Sequence, residues 1–258
     1  RIMSTGHDTT LPTDGRVNDA LVAYHAARAR GGAGLIVTQV AGVHETARYT
    51  SHMLMATDDG CIPGYRRLAE ACHAHDCRVV SQLFHPGREI METADGLLAV
   101  AYAPSVSPNE RFHVMPRALE PAMIADIVAG YGAAAARMQA AGLDGVEIVA
   151  SHGYLPAQFL NPRVNRREDA YGGTPENRLR FLEEVLGAVR AATFHFLSPI
   201  FGVAIAAALL GERFGASDVI GALIVAAGIL MVQLAKLPAA AAAPQPSSSA
   251  ARAIEGRD

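Results

Sequence analysis

Residues 144–159, DGVEIVASHGYLPAQF, decide the fold of this chain. Asp144–Ala150 is a short, mostly apolar run, which predicts a buried β-strand. The polar residues Ser151 and His152 follow it directly. In parallel α/β folds the carboxyl ends of the strands form the ligand-binding face, so we expect these side chains to face a ligand. The stretch therefore predicts one βα unit of a ligand-binding α/β fold.

Working outward, apolar runs and helical periodicities alternate along the first three quarters of the chain. Further strands are predicted at 1–5, 34–39 and 78–83. Helices are predicted at 18–30, at 63–75, at 120–141 and, from the Thr174-Pro175 start signal, to about residue 192. The order βαβαβαβα predicts a parallel sheet with right-handed crossovers. Four such units fit either an open sheet or half of an eightfold barrel, and periodicity alone does not choose between them.

The composition excludes several classes of protein. Half of the 258 residues are hydrophobic, which provides ample material for a core and excludes disorder over most of the chain. Lys and Arg number 22 against 25 Asp and Glu, so a nucleic-acid partner is not expected. Cys61, Cys72 and Cys77 form no C-x-x-C pair, so we expect ordinary thiols, no metal site and a reducing compartment.

Composition also predicts three segments. Residues 1–193 are mixed, residues 194–237 are almost wholly apolar, and residues 238–258 are rich in Ala, Pro and Ser, which predicts a disordered tail. The runs 194–210 and 219–235 are each just long enough to cross a bilayer, so the middle segment predicts a transmembrane hairpin. Buried barrel helices are the alternative. The charges flanking the runs predict a membrane protein with its N-terminal part in the cytoplasm.

The candidate chemistry lies after the predicted strands. His152 and Tyr154, two residues apart, can both point into one pocket. A histidine ring can hydrogen-bond a substrate carbonyl, and a tyrosine hydroxyl can deliver a proton to carbon. A loop histidine beside a packing tyrosine is the structural alternative, and spacing does not separate the two.

The loop after the third strand offers a second group of candidates. Gln82 has an amide whose donor and acceptor suit the edge of a heterocycle, although a polar residue at a strand end needs no such role. His85 and Arg88 could bind an anion or cap the loop, and we favour capping. The segment 161–173 predicts an ordered loop held by Arg–Asp pairs, with structural and functional readings equally open. No G-x-G-x-x-G motif follows a strand, which disfavours a classical dinucleotide fold.

The long motif VEIVASHGYLPAQFLNPRVNRREDAYGGTPENRLRF, residues 146–181, resembles the old yellow enzyme family of flavin oxidoreductases. RIMSTGHDT, GLIVTQVAGV and SQLFHPGR resemble that family's first three strands. The dienoyl-CoA reductase and trimethylamine dehydrogenase branch looks nearest. The resemblance covers residues 1 to about 192 and implies the N-terminal half of a TIM barrel, with FMN across its carboxyl-terminal face.

The resemblance also implies the roles of individual residues. Gly6, His7 and Val40 would lie along the flavin, and Gln82 would bond its pyrimidine edge. His152 matches the family's substrate- or flavin-contacting histidine, and Tyr154 matches the proton donor of dienoyl-CoA reductases. These are the expected cofactor-binding and catalytic residues.

The implied reaction passes hydride from NAD(P)H through FMN to an activated alkene, such as a 2-enoyl or dienoyl compound, or dehydrogenates an amine. The expected partner is therefore a small-molecule substrate. Many ene-reductases carry a second His or Asn where this chain has Val149, so a paired carbonyl clamp is not expected.

The stretch LSPIFGVAIAAALLGERFGASDVIGALIVAAGILMVQL, residues 197–234, resembles the last two helices of drug/metabolite transporter superfamily proteins. Together the two resemblances imply a fusion, and three hypotheses stay open. The chain could be an oxidoreductase fragment on a membrane anchor, self-associating to complete its barrel. It could be a transporter fragment with a vestigial N-terminal domain. It could also be a non-functional fusion product joined near Thr193–Phe194. We adopt the oxidoreductase function of the family.

Overall fold

The computed structural model describes residues 2–91 and 100–194, and these form an α/β unit. Strands β1–β7 are Ile2–Ser4, Ala33–Gly42, Leu54–Met55, Arg78–Phe84, Tyr102–Ala103, Arg117–Ala118 and Gly145–Ile148. Helices α1–α5 are Asp19–Arg30, Ile62–His73, Pro121–Ala140, Leu155–Leu160 and Pro175–Phe194. Each of the four predicted strands and helices is present, with ends shifted by a few residues. The short elements β3, β5, β6 and α4 were not expected from the sequence.

The main sheet is parallel and has the order β1-β2-β4-β7, with the short β3 beside β2. In its register Val40 of β2 is the partner of Gln82 of β4, and Gln82 is the partner of Glu147 of β7. In the chain, a helix follows each of the strands β1, β2, β4 and β7, which is the arrangement of a parallel βα fold. Because the strands run in one direction, all their carboxyl ends lie along one edge of the sheet.

The helix ends follow from local side-chain chemistry. Asn18 precedes α1, and its Oδ1 accepts a hydrogen bond from the backbone N–H of Leu21 at 3.0 Å. Thr174 precedes α5 in the same way, with its Oγ1 accepting from the N–H of Asn177 at 3.2 Å. The predicted start of α5 at Thr174-Pro175 is therefore confirmed, since the side chain satisfies a donor that the helix leaves unpaired.

Two apolar clusters hold the sheet and helices together. The larger lies between the sheet and the helices, and in it Phe159 of α4 stacks on Phe181 of α5 with ring centroids 4.4 Å apart. The smaller gathers near the carboxyl ends of the strands. Its members are Val40, Tyr49, Met53, Met55, Phe84, Ile90, Ala101, Val114 and Val149, with Phe112 and Tyr154 packed against them. The second cluster therefore forms the apolar floor of the strand-end surface.

The expected membrane location has to be corrected. Within 2–91 and 100–194, no helix is both long and apolar enough to cross a bilayer. The 20-residue helix α5, which leads up to the expected hairpin, carries charged side chains in every turn of its first half. Apart from Phe194, the predicted hairpin at 194–237 lies outside the described residues, as does the predicted tail at 238–258. The three-segment division therefore stays a prediction.

Truncating the stacked ring of α4 should destabilise the fold strongly. Phe159→Ala removes a fully buried side chain, and we expect the free energy of unfolding to fall by about 3–5 kcal/mol. Leu160→Ala is the matched control, because the neighbouring Leu160 is 36 % exposed. Denaturant titration of both variants measures the difference, and equal losses for the two would contradict the assignment of the core.

Candidate functional site

Gly6, Val40 and Gln82 come together at the carboxyl edge of the sheet. Val40 and Gln82 are register partners on β2 and β4. Gly6 follows β1 and lies directly against the carboxamide of Gln82, where a Cβ on residue 6 would stand only 2.4 Å from Gln82 Oε1. Because Gly6 has no side chain, the segment that follows β1 can pack closely against Gln82 of β4.

Gln82 is also tied to the last strand of the sheet. Its Nε2 donates a hydrogen bond to Glu147 Oε1 at 2.8 Å, and Glu147 is exposed. Among the described residues, Gln82 Oε1 has no hydrogen-bond partner. The protein thus uses one of the two N–H donors of this amide.

The ring of His7 is held against α1. Its Nδ1 lies 3.0 Å from the carbonyl oxygen of Thr5, and its Nε2 contacts the hydroxyl of Tyr24 on α1. The next residue, Asp8, accepts a hydrogen bond from the hydroxyl of Tyr49. Partial burial raises the pKa of the Asp8 carboxyl above its usual range, and the nearby His7 opposes part of that shift. His7 therefore follows Gly6 directly in the sequence, and its ring contacts Thr5 and Tyr24.

His152 sits in a tight left-handed turn that follows β7. The φ angles of His152 and Gly153 are +58° and +77°, and the N–H of Tyr154 donates to the carbonyl oxygen of Ser151 at 3.1 Å. Two successive positive φ angles closed by this bond define a type I′ turn. A non-glycine residue rarely adopts the left-handed conformation, and such residues concentrate at functional sites. The turn brings the rings of His152 and Tyr154 within 6.0 Å of each other, centroid to centroid.

Tyr154 lies half-buried on the apolar floor of the strand-end surface. Its ring meets Phe84 edge to face at a centroid distance of 4.9 Å. Burial raises the pKa of the Tyr154 hydroxyl, and the negative charges of Asp8 and Glu89 raise it further, with Arg111 opposing them. The hydroxyl therefore keeps its proton at neutral pH and can serve as a donor.

His85 and Arg88 hold the loop after β4. His85 is fully buried, its Nδ1 accepts from the N–H of Gly87 at 3.0 Å, and its Nε2 lies 2.9 Å from Thr46 Oγ1. Burial, with a smaller effect of His44, lowers the pKa of His85 to about 3, so the ring is neutral at physiological pH. Arg88 Nη1 donates to the carbonyl oxygen of Ser107 at 3.1 Å. Both residues cap the loop, as the favoured interpretation predicted.

The segment 161–173 is an ordered loop, as predicted. Arg167 donates from Nε to Asp169 Oδ1 at 2.9 Å, and its Nη2 lies 2.5 Å from Asp169 Oδ2. Arg167 Nη1 also donates to the carbonyl oxygen of Leu119 at 2.6 Å. The Arg–Asp pair therefore braces the loop internally, and the bond from Arg167 to Leu119 joins it to the segment ahead of α3.

Sequence reasoning missed three residues of this region: Tyr49, Glu147 and Gln158. Glu147 had a signal, since it is a charge inside an otherwise apolar strand. Gln158 had one too, because it is a polar residue between the apolar Leu155 and Phe159. Tyr49 had none, since its contact with Asp8 joins two loops 41 residues apart.

Comparison with known proteins shows which family the chain resembles over most of its described length. Residues 2–221 match the family model described as the NADH:flavin oxidoreductase / NADH oxidase family. The chain is 43 % identical over 192 residues to a metal reductase of Desulforamulus reducens, which covers 74 % of this chain and 28 % of the relative. It is 37 % identical over 177 residues to an NADPH dehydrogenase of Listeria monocytogenes, covering 69 % of this chain and 51 % of the relative. The chain thus spans about half, or less, of these relatives.

A solved structure shows the same architecture. Morphinone reductase in complex with tetrahydroNAD is similar to this chain with a TM-score of 0.67 and 33 % identity. The similarity covers 74 % of this chain and 56 % of morphinone reductase. The four βα units are therefore part of a TIM-barrel-like fold rather than an open sheet.

The family match also overturns the membrane location and gives no support to the transporter alternative. It continues to residue 221, through the whole of the first expected membrane span at 194–210. The relatives named above are oxidoreductases, and membership implies FMN as cofactor with NADH or NADPH as reductant. The chain belongs to the NADH:flavin oxidoreductase / NADH oxidase family, the old yellow enzyme type that its sequence resembles.

Proposed function

We propose that this chain forms the N-terminal, substrate-facing part of an FMN-dependent enzyme that reduces an activated alkene with NADH or NADPH. The observation that carries the proposal is the left-handed turn that sets His152 beside Tyr154. The turn follows β7, whose residue Glu147 is bonded to Gln82, so both features belong to one edge of the sheet. The description of the family and the name of the Listeria relative support NADH or NADPH as the reductant.

The residues at this edge fit a flavin. The pyrimidine edge of the isoalloxazine ring offers an N–H between two carbonyls, and the unpartnered acceptor of Gln82 is complementary to that N–H. Gly6 lets the Gln82 carboxamide lie against its backbone, and Val40 belongs to the apolar floor of the same surface. We propose that Gly6, His7, Val40 and Gln82 hold the cofactor. Held by these residues, FMN would supply the hydride-transfer chemistry between the reductant and the substrate.

His152 and Tyr154 would complete the reaction on the substrate. Saturating a carbon–carbon double bond requires one hydride and one proton. We propose that the His152 ring hydrogen-bonds the carbonyl that activates the alkene. The Tyr154 hydroxyl then gives its proton to the carbon that does not receive the hydride, and the tyrosinate takes a proton from water. The raised pKa of Tyr154 supports its role as the acid.

Val149 narrows the substrate class within this proposal. It is buried in the apolar floor, so position 149 offers no second donor for a carbonyl. The carbonyl would then be held by His152 from one side, with Tyr154 placed for proton transfer. This arrangement favours 2-enoyl or dienoyl substrates, as in the dienoyl-CoA reductase branch, over simple enones that need a paired clamp.

Removing the Gln82 amide should weaken flavin binding. Gln82→Ala loses one or two hydrogen bonds to the cofactor edge, and we expect the FMN dissociation constant to rise about 3- to 10-fold. Titration of the flavin-free protein with FMN, followed by flavin fluorescence, measures the constant. Gln139→Ala is the control, because Gln139 is an exposed glutamine at the far end of α3. Equal affinities for the wild type and Gln82→Ala would remove Gln82 from the cofactor site.

Removing the Tyr154 hydroxyl should affect proton transfer alone. For Tyr154→Phe we expect kcat for alkene reduction to fall by about 100-fold or more, since a positioned general acid typically contributes that much. Reduction of the bound flavin by NADPH should change by less than about twofold, because that half-reaction needs no proton from Tyr154. Stopped-flow absorbance separates the two half-reactions. A proportional loss in both would show that Tyr154 supports the flavin rather than the substrate.

The wild type and Tyr154→Phe together also test the protonation state of Tyr154. The pKa of the hydroxyl is raised above its ordinary value of 10.0, so the acid form persists past that pH. We expect wild-type kcat to decline on the alkaline side only above about pH 10, and that decline to be absent from Tyr154→Phe. An alkaline limb near neutral pH, unchanged by the substitution, would assign the proton to another group.

A further inference from the structure

We propose that Gln158 is a positioning residue for this reaction, whose buried carboxamide fixes the His152–Gly153 turn against the loop after β4. The proposal rests on the roles proposed above for His152 and Tyr154. It concerns a side chain that contacts neither the substrate nor the cofactor. Its effect would be to set where the His152 and Tyr154 side chains point.

The Gln158 carboxamide is fully engaged with two loops. The side chain is only 2 % exposed. Its Nε2 donates to the carbonyl oxygen of Gly153 at 2.6 Å and to that of Pro86 at 2.9 Å. Its Oε1 accepts from the N–H of Arg88 at 3.2 Å. One amide therefore bridges the turn after β7 and the loop after β4.

The bond to Gly153 acts on the strained part of the site. Gly153 is the second left-handed residue of the turn, and rotation of its peptide would redirect both His152 and Tyr154. Strained conformations persist only where the surroundings over-determine them. Besides Gln158, the backbone bond from Tyr154 N–H to the Ser151 carbonyl and the bond from Leu155 N–H to the His85 carbonyl hold this turn. Gln158 supplies the only side-chain bond to the Gly153 carbonyl among the described residues.

The loop after β4 is shaped around the same amide. Gly87 has a φ of +64°, and a Cβ at this position would stand 2.2 Å from Gln158 Oε1. The backbone thus approaches the carboxamide as closely as a glycine permits. Two carbonyl oxygens and one N–H converge on it, a set that only an amide satisfies with two donors and an acceptor.

Position 158 would be apolar if packing were its only task. Its helix neighbours Leu155 and Phe159 are fully buried members of the larger apolar cluster. A buried polar group among them costs free energy unless all its hydrogen bonds are made. The amide makes them to the loops that follow β4 and β7, the strands carrying Gln82 and Glu147. This is the arrangement expected of a residue that fixes the position of site residues without contacting the ligand.

Two isosteric variants test the proposal in the full chain loaded with FMN. Gln158→Glu keeps the shape and loses both donors, and Gln158→Met keeps the approximate volume and loses every polar atom. For either variant we expect kcat for alkene reduction to fall about 10- to 100-fold, as small misplacements of reacting groups do. The FMN dissociation constant and the rate of flavin reduction should stay within about twofold of wild type. Gln139→Glu is the matched control for a surface glutamine.

Nuclear magnetic resonance gives a readout that does not depend on catalysis. With ¹³C-labelled histidine we expect the His152 ring signal to shift or split in both variants and to stay unchanged in Gln139→Glu. Should neither variant fold, the wild type still decides the matter through the two Nε2 protons of Gln158. We expect them to exchange slowly with solvent, since both are hydrogen-bonded and buried.

The outcomes separate the two proposals. Alkene reduction within twofold of wild type, with an unchanged His152 signal, would overturn the positioning role of Gln158. Rapid exchange of the Gln158 amide protons in the wild type would overturn it as well. A wild type that binds FMN and reduces no alkene would instead refute the proposed function, and the His152 signal would still report whether Gln158 holds the turn.

Discussion

The parallel alignment of β1, β2, β4 and β7 is the constraint on which the rest of the structure depends. It brings four strand ends to one edge, although the residues there are up to about 150 positions apart in sequence. The register then pairs Val40 with Gln82 and Gln82 with Glu147. The helices pack on a face of the sheet and bury the apolar core there. The carboxyl ends of the strands are therefore left for polar side chains. A shift of one residue in any strand would turn its polar residue to the opposite face.

Burial sets the protonation states of the groups around this edge. Tyr154 rests on an apolar floor close to two carboxylates, and both effects favour the neutral hydroxyl. His85 is enclosed completely and stays neutral, so it holds its loop through the N–H of Gly87 without carrying a charge. The same physical cause, desolvation of the charged form, thus keeps the Tyr154 hydroxyl protonated and the His85 ring uncharged. The difference between them lies in exposure and in what each ring contacts.

The alternation of strands and helices could be predicted from the sequence because local periodicity controls it. The start of α5 followed from Thr174-Pro175, and the loop role of His85 followed from its position after a strand. The short strands β3, β5 and β6 could not be predicted, since two-residue elements have no periodicity. The contact between Tyr49 and Asp8 and the bridge made by Gln158 depend on the folded chain bringing distant loops together. The membrane location inferred from the apolar runs beyond residue 193 was wrong. The family match extends through the first run, 194–210, and hydropathy alone does not separate a membrane span from such a stretch.

A crystal structure of the chain with FMN tests the central claim most directly, because it locates the cofactor relative to the strand ends. The account predicts that the isoalloxazine ring lies across the carboxyl ends of the four strands. Its pyrimidine edge should lie within hydrogen-bond distance of Gln82, with His152 and Tyr154 facing the ring. A flavin bound away from this edge, with Gln82 still bonded only to Glu147, would contradict the account.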